Sequence, residues 1–353
     1  MRAVHVVVPD GIDDPARPSG GNTYDRRLCR ELGSLGWSVH QQAVPGFWVR
    51  RPDAAAFAAL EHGLRRIPDD AVVLLDGLIA SSAPEVLVPQ ARRLRLVVLV
   101  HMPFGHHPPD DGVRIRERTV LWAACEVITT SAWAQRRLVE LYELRSDRVH
   151  VAEPGADAAD LAGGTAAGGA LLCVAAVTFN KGHDVLLDAL ESISDLSWQC
   201  ICVGSLDRDP TYVESLRRRS LEGRLGDRVS FTGPRTGTDL DRHYASADLL
   251  LLPSRVETYG MVVTEARAHG LPVIATEVGG LTEALGKGAD AIRPGLLVPS
   301  ENPEALGAAL RAWLGDVELR ARFRRAARER RQSLSRWSTT GFVVAGVLAE
   351  AMR

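Results

Sequence analysis

Short apolar runs alternate with segments of helical period along almost the whole chain. In the first half, Val4–Val8, Val72–Leu75, Leu96–Val100, Val127–Thr129 and Val149–Val151 read as strands. In the second half the strands are Leu171–Val177, Gln199–Val203, Val229–Thr232, Leu249–Leu252 and Pro272–Ala275. The runs are continuously apolar, as expected of parallel strands covered by helices on both faces. Leu28, Leu32 and Leu35 form a helical stripe that stops at Gly36, where a C-terminal glycine belongs. Val185, Leu186, Ala189 and Leu190 form another after Gly182. Repeated strand–helix units imply right-handed crossovers and an α/β fold of open, doubly wound parallel sheets.

The pattern breaks at Ala158–Ala170, an aperiodic stretch rich in alanine and glycine. We therefore expect an N-terminal domain over 1–157, a linker over 158–170 and a second domain over 171–335. A C-terminal helical segment over 336–353 could pack back on the first domain. Arginine-rich Leu319–Gln332 predicts a solvated helix, and Phe342–Met352, after Trp337, a last apolar one. A chain of 353 residues is long enough for two cores.

Composition narrows the function classes. With 46% hydrophobic and 24% charged residues and a net charge of −2, nothing favours nucleic acid as a partner. Residues 1–155 hold nineteen arginines against nineteen acidic residues, so no net attraction to anionic lipid is expected. Arg92, Arg93 and Arg95 leave local peripheral membrane contact open, with solvated helix ends as the favoured reading. No apolar run reaches membrane-spanning length, and Val4–Val8 reads as a buried strand, not a targeting segment. The five cysteines are scattered. Cys200 and Cys202 are read as pointing to opposite strand faces, so neither a zinc site nor a disulfide framework is expected. These features fit a reducing cytoplasm; the oligomeric state stays open.

The richest passage runs from Leu249 to Ala266. A buried strand ends at Pro253, a loop carries Glu257, and a helix starts near Gly260 and contains Glu265. The first turn of such a helix offers unpaired N–H groups and a positive dipole end, a site for a diphosphate. Gly260 permits close backbone approach. Each glutamate could accept a pair of vicinal hydroxyls, one of a hexose and one of a ribose.

This passage, with Val229–Gly233, Tyr244–Asp248 and the following Gly-Leu-Pro-Val-Ile-Ala-Thr-Glu-Val-Gly-Gly, resembles the retaining glycosyltransferases called family 4. The resemblance covers almost the whole chain. It implies the GT-B fold, two facing Rossmann-like domains with an interdomain cleft, and matches the Glu-x7-Glu signature with Glu257 and Glu265. Glu257 would then contact donor-sugar hydroxyls and Glu265 the ribose, while backbone amides around Tyr259, Gly260, Met261 and Val262 take the phosphates.

Four further features are placed by the same resemblance. Lys181, one of two lysines beside Lys287, leaves a strand end in Lys181-Gly182, and the family's equivalent binds the diphosphate. The family's Gly-Arg a few residues earlier is replaced here by Ala175-Ala176, so part of the charge compensation for the phosphates is missing or comes from elsewhere. Arg255 is the candidate. Gly20 and Gly21, after the first strand, match the glycine loop near the donor phosphates. His101, at the end of Leu96–Val100, matches a histidine beside the donor sugar; His106 and His107 read as solvated or acceptor-side. Asp207-Arg208-Asp209 and Asp239-Leu240-Asp241 have the Asp-x-Asp pattern of metal-dependent transferases. Their charged loop or helix-start context and the resemblance argue for no metal and no cofactor beyond the nucleotide-sugar co-substrate.

The implied chemistry is retaining transfer of a hexose-type sugar, with a UDP-sugar favoured, to an unidentified acceptor lying against loops such as Phe47-Trp48 and Pro103–Pro109. Lys181 and the helix N-terminus would stabilise the leaving diphosphate, Glu257 would orient the sugar and His101 would hold a hydroxyl. The alternatives are a nucleotide-sugar epimerase or phosphorylase of the same fold, and a non-catalytic nucleotide-sugar binder.

Overall fold

The computed structural model describes residues 2–48, 52–106, 111–223, 225–286 and 292–353. His107, Lys287 and Pro108–Pro109 lie outside the described residues. The chain divides into two compact units. One contains Met1–Asp13, Gly21–Gly155 and Ser335–Arg353, the other Asp14–Gly20 and Ala156–Leu334.

In the first unit β1 (Ala3–Pro9), β2 (Ser38–Val44), β3 (Val72–Asp76), β4 (Arg95–Val100), β5 (Glu126–Thr129) and β6 (Val149–Val151) form a six-stranded sheet in the order β2-β1-β3-β4-β5-β6. In the second, β7 (Ala170–Val174), β8 (Gln199–Val203), β9 (Val229–Gly233), β10 (Leu249–Leu252), β11 (Val273–Thr276) and β12 (Gly295–Val298) form another, ordered β12-β11-β10-β7-β8-β9. Every pairing is parallel. Flanking helices bury the runs on both faces, which makes β3 and β10 fully buried and uniformly apolar but for Asp76.

Two strands lie outside the predicted runs, the polar β2 and the short, apolar β12 (Gly-Leu-Leu-Val), and both are sheet edges. An edge strand has one open side, so Ser-Val-His-Gln-Gln-Ala-Val can pair as β2 with half of its residues near solvent. The stop at Gly36 has the geometry its sequence suggests. Its φ is +83°, and the Trp37 N–H reaches back to Leu32 O at 3.0 Å. Leu28 and Leu32 are buried, whereas Leu35, beyond the helix Gly20–Ser34, is exposed.

Several expectations change. Cys200 and Cys202 share a face, because positions two apart on a strand point the same way. Both thiols are buried in the core with Cys173, the register partner of Cys202. Trp48 is not an acceptor-loop side chain; it is buried, and its indole N–H donates to Val44 O at 3.2 Å. Arg93 is held by Leu64 O and Ile67 O at 2.6 and 2.7 Å at a helix end. The last helix starts at Trp337 and ends at Ala351, with Phe342 on its exposed side. The arginine-rich helix Val317–Arg331 also buries Phe323, Ala326 and Ala327. No helix of the described residues is long and apolar enough to cross a membrane.

The stretch read as a loose linker is fastened to the second unit by Asp248, at the entrance to β10. Its buried carboxylate accepts from Thr165 N (2.5 Å), Thr165 Oγ1 (2.6 Å) and Ala170 N (2.9 Å), and pairs with Arg324 at 2.7 Å. Removing one member of such a buried network leaves the rest unpaired, at about 3 kcal/mol or more. Asp248→Ala should lower the denaturant midpoint accordingly and expose residues 162–168 to hydrogen exchange. An unchanged midpoint with those amides still protected would show that other contacts hold the segment.

Candidate functional site

In the second sheet the chain order reverses between β7 and β10, and ligands of open α/β sheets bind outside the strand ends at such a point. The loops leaving β7 and β10 carry Lys181 and Glu257. Lys181 ends a short 3-10 turn, Phe179–Lys181, and Gly182 follows with φ +68°. A Cβ on Gly182 would lie 2.1 Å from Pro253 O, so glycine lets this turn press on the end of β10. The Lys181 ammonium donates to Glu257 Oε1, which also accepts from Ser254 Oγ at 3.2 Å. Behind Glu257, the Gly280 N–H donates to its carbonyl at 3.2 Å, and a Cβ on Gly279 would stand 1.5 Å from that oxygen. The Gly-Gly of the motif therefore buttresses the glutamate loop.

Helix Met261–Ala268 begins at Gly260, whose φ is +88° and which offers no side-chain cap. Its first turn is thus open to an anion placed at the loop. Tyr259 is buried in the core, so only its backbone can serve a ligand; Met261 and Val262 are half-buried. Glu265 lies further along the helix and accepts from the Tyr244 hydroxyl at 2.7 Å. Burial raises its carboxyl above the ordinary value while that hydrogen bond pulls it down.

Arg255 is placed differently from the expectation. Its guanidinium is committed to both oxygens of Asp184 at 2.9 and 2.8 Å and to Phe179 O at 2.7 Å. To serve as the substitute for the missing phosphate arginine it would have to give up some of these charge-assisted bonds. In this arrangement Ala176 has no charged replacement from this residue.

Gly20 and Gly21 form the first turn of the helix Gly20–Ser34, which belongs to the first unit from Gly21 onward. Gly21 lies over the ring of His101, where a Cβ would come within 3.2 Å of Cδ2. His101 follows β4 directly, and its Nε2 is 2.8 Å from Asp25 Oδ1 and 3.8 Å from Asp76 Oδ2. Tyr24 packs edge-on at 5.2 Å, and its own hydroxyl donates to Ala152 O at 2.9 Å. Asp76 ends β3 and caps the helix Gly77–Ser82 by accepting from Leu78 N at 2.6 Å. Beyond His101, Glu117 ties down the chain by accepting from Phe104 N and Gly105 N at 3.2 and 3.0 Å.

The sequence reading missed Asp25, Asp76 and Tyr244 as partners of its chosen residues. Asp76 carried the same signal as His101, a polar residue at the C-terminal end of an apolar strand. Asp25 carried none, since only tertiary packing sets a helix residue against a strand end. Among the described residues, Asp25–Asp76–His101 and Cys173–His183–Cys202 are the groups whose atoms converge closely enough for a metal ion. The Asp-x-Asp patterns are not among them. Asp209 caps the helix Pro210–Glu222 through Tyr212 N at 3.2 Å, and Asp239 pairs with Arg242 at 2.7 Å.

Charge in the Asp25–Asp76–His101 cluster is balanced by protons. Burial, then the Asp25 carboxylate, push Asp76 up to about 7; the Leu78 N–H and His101 act the other way. Burial opposes the His101 imidazolium, but Asp25 and Asp76 outweigh it and raise its pKa. For both groups the folded pKa exceeds the unfolded one. Their contribution is fully present below the unfolded values and is lost as pH rises through the folded ones. For Asp76 the window is about pH 4 to 7, with a loss on the order of 4 kcal/mol. Asp76→Asn keeps an acceptor for Leu78 but cannot ionise, so it should flatten the fall of the thermal midpoint across that window. A variant with the wild-type slope would remove Asp76 as its source.

Comparison with known proteins agrees with this architecture. Residues 169–330 match the family model described as glycosyl transferases group 1. The chain is 32% identical over 256 residues to a D-inositol 3-phosphate glycosyltransferase of Jonesia denitrificans, a match covering 67% of this chain and 59% of that protein. Another of that description, from Saccharomonospora viridis, is 28% identical, with 99% of this chain and 94% of the relative covered. The chain spans about 60% of the length of the first such relatives it matches. Among solved structures, sucrose-phosphate synthase from Thermosynechococcus elongatus is similar with a TM-score of 0.81 at 22% identity, over 99% of both chains. HepE of Anabaena in complex with UDP-glucose is similar with a TM-score of 0.76 at 18% identity, over 99% of this chain and 100% of that one. The chain has the GT-B fold, and its residues 169–330 match the group 1 glycosyl transferase domain.

Proposed function

We propose that this protein is a retaining, metal-independent glycosyltransferase that moves a hexose-type sugar from a nucleoside-diphosphate sugar to a nucleophile of an unidentified acceptor. The observation that carries the reading is the meeting of Lys181 and Glu257 at the switch point of the second sheet, beside the uncapped helix start at Gly260. A UDP-sugar is the favoured donor; that a similar fold is known in complex with UDP-glucose supports this choice. The names of the relatives support transfer over epimerisation or phosphorolysis.

In this reading the donor enters by dividing the Lys181–Glu257 pair. The ammonium turns to the diphosphate, and the carboxylate accepts from the sugar hydroxyls. Tyr244 occupies Oε2 of Glu265 and leaves Oε1 for a ribose hydroxyl. The transition state gains negative charge on the departing diphosphate. Lys181 and the amides of the first helical turn are already oriented there, so little reorganisation is needed. The leaving phosphate accepts the acceptor's proton on the same face, which accounts for retention without a separate protein base. His101, fixed by Asp25 and Asp76, is assigned to a sugar hydroxyl. Localisation in the cytoplasm belongs to the same proposal.

The alanines at 175 and 176 are the observation that favours a second reading, a nucleotide-sugar binder without turnover. Both readings require nucleotide binding, which ligand-linked stability measures, and turnover separates them. UDP at a hundred times its Kd should stabilise the fold by about 2.7 kcal/mol, with or without EDTA. Lys181→Ala should weaken UDP binding at least about tenfold, roughly the value of one charge-assisted hydrogen bond. Glu257→Ala should retain UDP but abolish sugar transfer to any acceptor found. If UDP and the other nucleoside diphosphates at millimolar concentration leave the unfolding midpoint unmoved, the donor assignment is wrong.

A further inference from the structure

The Arg255 guanidinium bonds to protein acceptors, and through them it joins the two loops that carry Lys181 and Glu257. Its backbone N–H donates to Asn180 O at 2.8 Å, and its guanidinium donates to Phe179 O at 2.7 Å. Both acceptors belong to the turn that ends in Lys181. The guanidinium also lies over the Phe179 ring, 3.9 Å from its centroid, and reaches Glu301 at 3.1 Å. Asp184, two residues past Gly182, receives both terminal nitrogens of Arg255 and the Tyr212 hydroxyl at 2.7 Å. Burial works to raise the Asp184 carboxyl, but the bonds from Arg255 and Tyr212 outweigh it and hold it down to about 2. The pair is therefore charged at any working pH, and its bidentate, stacked geometry is one that Arg alone among the cationic side chains provides.

The consequence follows from chain connectivity. Arg255 lies two residues before Glu257, and Phe179 two before Lys181. A bond network from Arg255 to Phe179, Asn180 and Asp184 grips the Lys181 turn on both of its sides and ties it to the glutamate loop. Nothing in the Lys181–Glu257 ion pair itself fixes backbone position, because a lysine stem is flexible. We propose that Arg255 and Asp184 are positioning residues for the donor diphosphate: they set Lys181 against Glu257 and act on the phosphates only through Lys181. The diphosphate part of this statement rests on the donor reading above; the link between Arg255 and Lys181 does not.

The two-lysine composition makes the link directly measurable. Reductive methylation with 13C-formaldehyde labels the two lysines and the α-amine, and Lys181→Arg and Lys287→Arg assign the lysine signals. Glu257→Gln defines the position of the Lys181 signal without its carboxylate partner. Arg255→Gln and Asp184→Asn, which attack the clamp from opposite ends, should each move the Lys181 signal more than halfway to that position and leave Lys287 in place. A Lys181 signal unmoved in both variants overturns the proposal.

A second arm uses UDP as the probe. Arg255→Gln should weaken UDP binding about tenfold in the otherwise wild-type protein and less than twofold in a Lys181→Ala background. Equal losses in both backgrounds would mean that Arg255 acts on the phosphates directly or through general stability, and would also overturn it. If wild type binds no UDP while the Lys181 signal responds as expected, the positioning link stands and the donor reading falls.

Discussion

The parallel pairing of β7 with β10 is the constraint on which the candidate site depends. Leu171 lies beside Leu249 and Leu172 beside Leu250, although β8, β9 and their helices come between them in the chain. Chain order reverses at this pair, so the loops after the two strands diverge from a common point with no crossover helix between them. One loop brings a cation and the other an anion. Half-buried and oppositely charged, Lys181 and Glu257 neutralise one another.

Close backbone approach makes that meeting possible. Gly182 admits Pro253 O on one side of the site, and Gly279 admits Glu257 O on the other. A side chain at either position would wedge the loops apart before any charge could pair. Arg255 then supplies what packing cannot, a directional tie between two loops that have few apolar side chains to hold them. The first unit solves a related problem with the opposite charge balance. His101 sits at a strand end between two buried carboxylates, and shared protons offset the excess negative charge.

Much of this fold was legible from apolar runs because both faces of a central parallel strand are buried. Leu249–Leu252 and Gln199–Val203 match their observed strands without adjustment. The same logic fails at β2, whose open edge relaxes the demand for apolar residues. It fails at Ala158–Ala170 for another reason. Composition sees small, flexible residues there, but not the buried Asp248 that collects their N–H groups. In the site, strand-end position marked His101, Lys181 and Glu257, since loops at strand ends follow from the strand assignment itself. Arg255 was marked for its charge and place in the chain; its partner, Asp184, gives it a different task from the one its position suggested.

The sequence by itself determined which segments become strands, where glycines permit close approach, and which loops carry charged groups at strand ends. These are local properties, set by side-chain periodicity and backbone freedom. Only the tertiary structure decided which of those groups meet. Strand order places β7 beside β10, helix packing brings Asp25 to His101, and loop geometry turns Arg255 toward Asp184. Each is a contact between residues far apart in the chain. No local pattern encodes such a contact, because its free energy arises only when both partners are already held in place.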